Sequence, residues 1–284
     1  MERCGGELLQ GGIAGRRSEG CERTMASIYR AGLTVSRYRW LLYELLIRDL
    51  RLRYRGSVLG FAWTILNPVL FMLVYTLVFS VFLRVNVPNF PLYLLSGMIA
   101  YNWFSIGIST SLTAILDGRH FVGQTIFPTE MLVLVPVLSN GINFLLSLLL
   151  LLPFAFVFGH ARFGVLALPV LIVIELCMTL GLSFIAATYN VFFRDLQQLV
   201  SYALAALFFL TPIFYARHSV PANLQFMVKL SPVAALIDGY QRVLYYGEFP
   251  SWRTTLFAAA FALAILALGV AIFDRYREMF TEYI

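Results

Sequence analysis

The side chains that could carry chemistry in this sequence are few and widely spaced. Aspartate, glutamate, lysine and arginine make up 13% of its 284 residues. Cys4, Cys21 and Cys177 form no C-x-x-C pair and no cluster with histidine, so neither a metal site nor a disulfide framework is predicted. The single lysine, Lys229, has no glycine nearby, whereas a phosphate-binding P-loop requires G-x-x-x-x-G-K-[ST]. Any ATP-driven work would therefore need a second subunit.

The carboxylates form no recognisable catalytic group either. Asp117, Glu130 and Asp195 border long apolar runs, but they are separated in sequence and no D-x-D type cluster occurs. A membrane-embedded glycosyl or phosphosugar transferase would need carboxylates or a metal that converge at one interface. We therefore predict no catalytic residue, no metal and no cofactor bound by this chain, and we keep the transferase only as an alternative.

Glu175 is the one acidic residue inside an apolar run. A carboxylate within a bilayer is a functional hypothesis by default. We expect it to be neutral and hydrogen-bonded to Asn140, Asn143 or Thr179, or to line a wet passage. The structural interpretation is favoured because no acid or histidine that could relay a proton lies in another apolar run.

The elements that position these residues follow from composition. Residues of the AVILMFWYC set make up 60% of the chain, against roughly 45–50% in soluble domains. A soluble protein of this size has too little interior to bury them. The sequence therefore predicts an all-α membrane protein whose six apolar runs are transmembrane helices. These runs occupy residues 61–83, 92–116, 131–158, 164–188, 197–216 and 254–273.

Two further segments flank this six-span domain, which is predicted to cover residues 57–284. Residues 1–36 are rich in glycine and charge, and we expect them to be disordered or, before Met25, to precede the true start. Residues 217–253 are predicted to contain a pair of short amphipathic or re-entrant helices just before the last span. The apolar positions of that pair share one helical face, and they are Leu236, Ile237, Tyr240, Val243 and Leu244.

Residues 37–56 are predicted to form an amphipathic helix in the membrane interface. Arg48, Arg51 and Arg55 recur at helical spacing, and apolar side chains recur on another face. The segment is too charged to span a bilayer, so its arginines should reach the anionic headgroups of membrane lipids. A solvated helix beside the membrane is the alternative.

The basic residues also predict the orientation of the chain. If both termini lie on one side, that side carries 15 of the 21 lysines and arginines. Positively charged loops remain in the cytosol. We therefore expect both termini to be cytosolic, and we expect no nucleic-acid partner.

The residues from Arg48 to Pro68 read RDLRLRYRGSVLGFAWTILNP. This segment resembles the start of the permease subunits of bacterial ABC-type polysaccharide exporters, a family that includes O-antigen, capsule and teichoic-acid permeases. The resemblance extends over residues 37–284. Shorter matching stretches are IFPTE at 126–130, FRDL at 193–196 and TPIFY at 211–215.

The resemblance implies an arrangement that the residues alone do not. It implies a homodimer in the bacterial cytoplasmic membrane, with two copies of a P-loop ATPase bound beneath and a channel between the protomers. ATP and magnesium would be held by the ATPase, and lipid-linked polysaccharide would pass through the channel. O-antigen is the expected cargo, with capsule or teichoic acid as the alternatives.

The loop at 117–130 is the candidate for contact with that ATPase. Its large apolar side chains, Phe121, Ile126 and Phe127, precede Pro128 on a short connection. Apolar groups on such a connection are suited to docking a partner, and the region resembles the coupling helix of the family. The alternative is that both phenylalanines anchor helix ends at the membrane interface.

Aromatic residues make up 15% of the chain and are candidates for a channel wall. Their flat faces suit the C–H faces of sugar rings and could let a long glycan slide without tight binding. Tyr101, Trp103 and Tyr202 are predicted to contribute to this wall. Core packing and an interfacial aromatic belt are the alternatives.

Overall fold

The structure, a computed structural model, describes residues 37–56, 59–78, 88–122, 127–157, 163–215, 223 and 225–283, so the predicted N-terminal segment 1–36 lies outside it. All regular elements in the described ranges are helices. The α-helices are α1 Arg39–Tyr54, α2 Trp63–Thr76, α3 Phe90–Asp117, α4 Arg119–Val122, α5 Glu130–Val157, α6 Leu168–Phe192, α7 Leu196–Leu210, α8 Gln225–Leu230, α9 Pro232–Gln241, α10 Trp252–Tyr276 and α11 Phe280–Tyr283. Short 3₁₀ turns or a π turn (Arg242–Tyr246) join several of them.

Four helices among the described residues are long and apolar enough to cross a membrane. They match the second, third, fourth and sixth predicted runs, and they are Phe90–Asp117, Glu130–Val157, Phe163–Phe192 and Trp252–Met279. The first predicted run, 61–83, contains α2, and its residues beyond 78 lie outside the described part of the chain. The fold is therefore all-α with at least four membrane-length helices.

The helix within the fifth predicted run is shorter than the run. It was expected to continue to residue 216, but α7 ends at Leu210 and Thr211 is extended, with a ψ of 134°. Thr211 precedes Pro212, whose ring disfavours a helical conformation of the preceding residue. The proline also has no N–H to continue the helical hydrogen bonds. The helix is therefore limited to 15 residues.

The four membrane-length helices form the body of the molecule. Helices α6 and α10 pack against each other most extensively, and α3 lies against both α5 and α6. The helix pair predicted before the last span is present as α8 and α9, and the π turn after α9 continues it. The apolar residues predicted to share one face of that pair, from Leu236 to Leu244, are all buried. Helices α2 and α7 contact this body less extensively and lie outside it.

Two glycines set the change of direction between α1 and α2. Gly56 has a φ of +79° and Gly60 a φ of +48°. Residues other than glycine rarely adopt this left-handed backbone conformation, because their Cβ atom clashes with the backbone. Glycine is therefore the residue suited to both positions between these helices.

Candidate functional site

Helix α1 docks onto the middle of α5 through a charged pair that sequence reasoning missed. Ser139 Oγ donates a hydrogen bond to Asp49 Oδ2 at 2.5 Å, and Arg53 Nη1 donates one to Asn140 Oδ1 at 2.6 Å. Asp49 and Arg53 also form an ion pair of 3.4 Å across one helical turn. Opposite charges four residues apart on a helix are the signal that could have identified this pair.

The predicted basic stripe of α1 points away from this contact. Arg48, Arg51 and Arg55 are all exposed. Tyr38 and Leu42, on the docking face, pack against a cluster at one end of the bundle. The docking face of α1 thus carries Asp49 and Arg53, and the interfacial role of the exposed arginines stays a prediction.

Helix α7 presents an exposed face that mixes carboxamide, hydroxyl and aromatic groups. Gln198, Tyr202 and Phe209 lie on that face, with Tyr202 66% and Phe209 64% exposed. Ala205 completes the helical spacing, and Leu204 is the buried residue of the helix. Hydrocarbon is a poor environment for such a face, because polar groups without partners are costly there.

Side chains from two other elements hold the opposite side of α7. The Tyr101 hydroxyl donates to the carbonyl oxygen of Leu204, in the middle of the helix. Just beyond the helix end, the Tyr93 hydroxyl and Gln241 Nε2 donate to backbone carbonyls at 3.0 and 3.2 Å. Helix α7 is therefore fixed on one side by α3 and α9, while its other face is bare.

The three residues predicted for a channel wall occupy different environments. Tyr101 is buried and its ring packs 5.1 Å from that of Phe208. Trp103 is also buried, with its indole N–H donating to the Val137 carbonyl at 3.1 Å. Tyr202 is the one of the three whose side chain reaches the surface of the chain.

Glu175 lies at the centre of the bundle, but its partner differs from those expected. The Tyr240 hydroxyl donates to Glu175 Oε2 at 2.7 Å, and both residues are fully buried. Glu175 Oε1 has no hydrogen-bond partner within the described chain. Tyr240 was not among the expected partners Asn140, Asn143 and Thr179, and it reaches Glu175 because the helix that carries it packs against α6. Glu175 therefore connects a spanning helix to the short helix α9.

A pair of stacked rings lies on the two described parts of the candidate coupling loop, residues 117–122 and 127–130. The centroids of Phe121 and Phe127 lie 4.8 Å apart with the ring planes at 26°. Both side chains and Pro128 are half-buried, and Phe127 packs against the cluster at this end of the bundle. Ile126 lies outside the described residues. The stacked pair joins the two arms of the loop, and its role in docking stays a prediction.

An ion pair ties this loop to the C-terminal end of the chain. Arg277 Nη1 lies 3.2 Å from Glu130 Oε1, at the start of α5, and Arg277 Nε lies 3.3 Å from Asp274. The loop and the end of α10 therefore share one electrostatic contact. Within the described ranges, no group of three or more His, Cys, Asp or Glu could hold a metal ion.

A chain whose fold contains four such long apolar helices is a multi-pass helical membrane protein. The family model for the ABC-2 type transporter matches residues 41–245, and the chain belongs to this family. The resemblance seen from residue 48 onwards is thus confirmed.

Named relatives cover most of the chain. The O-antigen export system permease protein RfbA of Myxococcus xanthus is 39% identical over 250 residues, which is 87% of this chain and 96% of that protein. A Klebsiella pneumoniae protein of the same name is 31% identical over 85% of this chain and 95% of its own. The polysialic acid transport protein KpsM of Escherichia coli is 25% identical over 240 residues, which is 82% of this chain and 92% of that protein.

Proposed function

We propose that this chain is the membrane-spanning subunit of an ATP-driven exporter that moves lipid-linked polysaccharide, most simply O-antigen, across the bacterial cytoplasmic membrane. Membership of the ABC-2 type transporter family and the names of the relatives support a polysaccharide exporter. The higher identity to O-antigen permeases favours O-antigen over capsule or teichoic acid. It is a transport subunit and carries no catalytic residue of its own.

The exposed face of α7 is the observation that carries this proposal. A glycan cannot cross hydrocarbon, since its hydroxyl groups would lose their hydrogen bonds to water. Gln198, Tyr202 and Phe209 offer amide, hydroxyl and ring surfaces on a helix of apolar composition. One copy leaves this face bare, so two copies that face each other would enclose a polar passage. A homodimer with six spans per subunit, α2 and α7 included, and with both termini in the cytosol, is the arrangement we propose.

Energy for transport has to come from a partner. The sequence holds no P-loop, so ATP and magnesium would be bound by two copies of a separate ATPase. The loop with the stacked Phe121 and Phe127 rings is the proposed docking element. Its connections to α3, α5 and, through Glu130, to Arg277 provide a route by which movement of the ATPase reaches the spanning helices.

Deletion of the gene in the source bacterium tests the proposal. We expect the surface polysaccharide to disappear while lipid-linked polysaccharide accumulates on the cytosolic side, and re-expression of the intact chain to restore it. The anchor of the missing glycan distinguishes the cargoes: loss from lipopolysaccharide indicates O-antigen, and loss of a capsule or of a wall polymer indicates the alternatives. Unchanged surface glycans together with loss of a glycosyl transfer activity would instead support the transferase.

A further inference from the structure

A groove of about 510 Å³ lies between α2 and the pair α3 and α5. It is separate from the face of α7 described above. Four asparagines line it, contributed by three helices, and they are Asn67, Asn102, Asn140 and Asn143. Half of the asparagines in the whole sequence therefore lie around one recess in a chain that is 60% apolar.

The groove lies deep in the membrane-length helices. Asn102 is near the middle of α3, a helix of 28 residues, and Asn143 is near the middle of α5, which is also 28 residues long. Polar side chains at such a depth are rare, and they mark substrate pathways when they face a cavity. Not all of these side-chain amides are used in internal hydrogen bonds. Within the described chain, the amides of Asn67 and Asn102 make none. Asn140, in contrast, accepts a hydrogen bond from Arg53 and donates one to Thr110 at 3.1 Å.

Aromatic rings form the remaining walls. The rings of Trp103 and Phe144 are stacked with centroids 4.7 Å apart, and the indole N–H of Trp103 is already bound to the Val137 carbonyl. Trp63 and Phe71 line the facing wall and are 37% and 50% exposed. Sugar rings present C–H groups on their faces and hydroxyls at their rims, so they need flat apolar surfaces beside hydrogen-bonding groups. Amides next to ring faces supply both.

The charge in the groove argues against a phosphate ligand. Arg53 is the one charged residue among its lining side chains. That guanidinium is already paired with Asp49 at 3.4 Å and with the Asn140 amide. The net local charge is zero, whereas phosphate sites present uncompensated arginines or lysines. The volume falls within the ~300–1,000 Å³ range of small-ligand sites, which suits a short stretch of glycan.

We propose that this groove is a second glycan site, which binds neutral sugar units of the lipid-linked cargo at the side of each protomer. The inference rests on the proposed function for the nature of the cargo, but it places the site away from the passage between α7 helices. The lining side chains Phe71 and Ile106 are 50% and 46% exposed, so the groove is open to the outside of the chain beside them. The lipid tail of the cargo can thus remain in the bilayer while the sugar units lie in the groove and hydrogen-bond to the asparagine amides.

Photo-crosslinking in the source bacterium tests this site. The photoreactive amino acid p-benzoylphenylalanine is incorporated in place of Ile106 in the groove and, in a separate strain, in place of Phe209 on α7. After irradiation, the purified chain is probed for attached glycan. We expect glycan attachment at position 106, and we expect Asn102→Leu in the same chain to reduce it roughly fivefold, in line with the loss of one hydrogen bond. Asn223→Leu, an exposed asparagine outside the groove, is the matched control and should leave the attachment unchanged.

The outcomes separate the two proposals. Glycan attached at position 209 but not at 106, in cells with normal export, overturns the groove and leaves the proposed function standing. Attachment of a second copy of the chain at 106 overturns it in favour of a protein interface, and attachment of phospholipid alone overturns it in favour of a lipid site. If deletion of the gene leaves every surface glycan unchanged, the proposed function itself fails. Equal amounts of Asn102→Leu and intact chain in the membrane show that a reduced signal reflects binding.

Discussion

Gly181 of α6 and Gly269 of α10 lie in direct backbone contact where the two helices cross. A Cβ atom on Gly181 would lie 2.6 Å from the backbone of both Ile265 and Leu266. Helices in membranes associate through such close packing, because lipid provides no hydrophobic force between them. The most extensive helix pair in the structure therefore depends on two residues without side chains.

Replacing either glycine should destabilise the bundle. We expect Gly269→Ala to lower the free energy of unfolding by about 1–3 kcal/mol, the usual cost of overpacking. Ala264→Val on the exposed side of the same helix also adds volume and should have little effect. Thermal unfolding of the purified variants in detergent measures both. Equal stability of the Gly269→Ala variant and the intact chain would show that the helices can separate at no cost.

The hydrogen bond between Tyr240 and Glu175 should be needed to hold α9 against α6. Tyr240→Phe leaves the buried carboxyl without its partner, which costs about 1–3 kcal/mol. The double change Glu175→Leu with Tyr240→Phe removes both polar groups, so it should be less destabilising than the sum of the single changes. Unfolding free energies of the four proteins measure this coupling, and strictly additive values would contradict it.

The stacked rings of the 117–130 loop should be required for contact with the ATPase. We expect Phe121→Ala combined with Phe127→Ala to leave the chain in the membrane but to abolish co-purification of the ATPase and glycan export. Phe163→Ala is the control, since Phe163 is 75% exposed and lies at the opposite end of the adjoining helices. Unchanged co-purification and unchanged export in the double variant would assign the rings to anchoring of helix ends.

The basic stripe of α1 should contribute to membrane association. Changing Arg48, Arg51 and Arg55 to glutamate removes roughly 1 kcal/mol of attraction to anionic lipids per arginine, before repulsion is counted. We expect lower amounts of chain in the membrane or loss of export. The single change Arg253→Glu, on a residue of α10 outside the stripe, should be tolerated. Normal export from the triple variant would identify α1 as a solvated helix.

Tyr202 should face the passage, whereas Tyr101 should act through packing. We expect Tyr202→Ala to slow export without a change in stability, because the ring is 66% exposed. Tyr101→Phe removes the hydroxyl that binds the Leu204 carbonyl and should instead lower stability. A cysteine at position 202 in a cysteine-free chain should react with a water-soluble thiol reagent. Absence of reaction in every nucleotide state, with full export by Tyr202→Ala, would place the ring in lipid.

The positions of the long helices could be predicted from sequence because each is a continuous apolar run. The run at 92–116 became Phe90–Asp117, and the run at 131–158 became Glu130–Val157. The end of α7 was missed because hydropathy does not register Pro212, whose effect is on backbone geometry. That effect was nonetheless readable from the sequence as the threonine before a proline.

Contacts between helices could not be predicted in the same way. Periodicity identifies a face of a helix but does not identify the helix that covers it. Glu175 was therefore assigned to Asn140, Asn143 or Thr179, whereas its partner Tyr240 lies 65 residues further along the chain. Asp49 and Arg53 were overlooked because the exposed arginines of α1 give the stronger pattern. The asparagines of the groove come from three helices, so the sequence pattern of any one helix does not indicate the groove.

The early end of α7 also bears on the membrane itself. Fifteen residues extend only about 22 Å, while the hydrocarbon core of a bilayer is about 30 Å thick. A helix that is too short for its membrane draws the lipid surfaces together around it. In the proposed arrangement, in which α7 is a span, the bilayer should therefore be locally thin where α7 meets lipid, so that water reaches deeper there than around α6 or α10. The thickness of the surrounding lipid, which is set by acyl-chain length, should then affect the rate of export through the proposed passage.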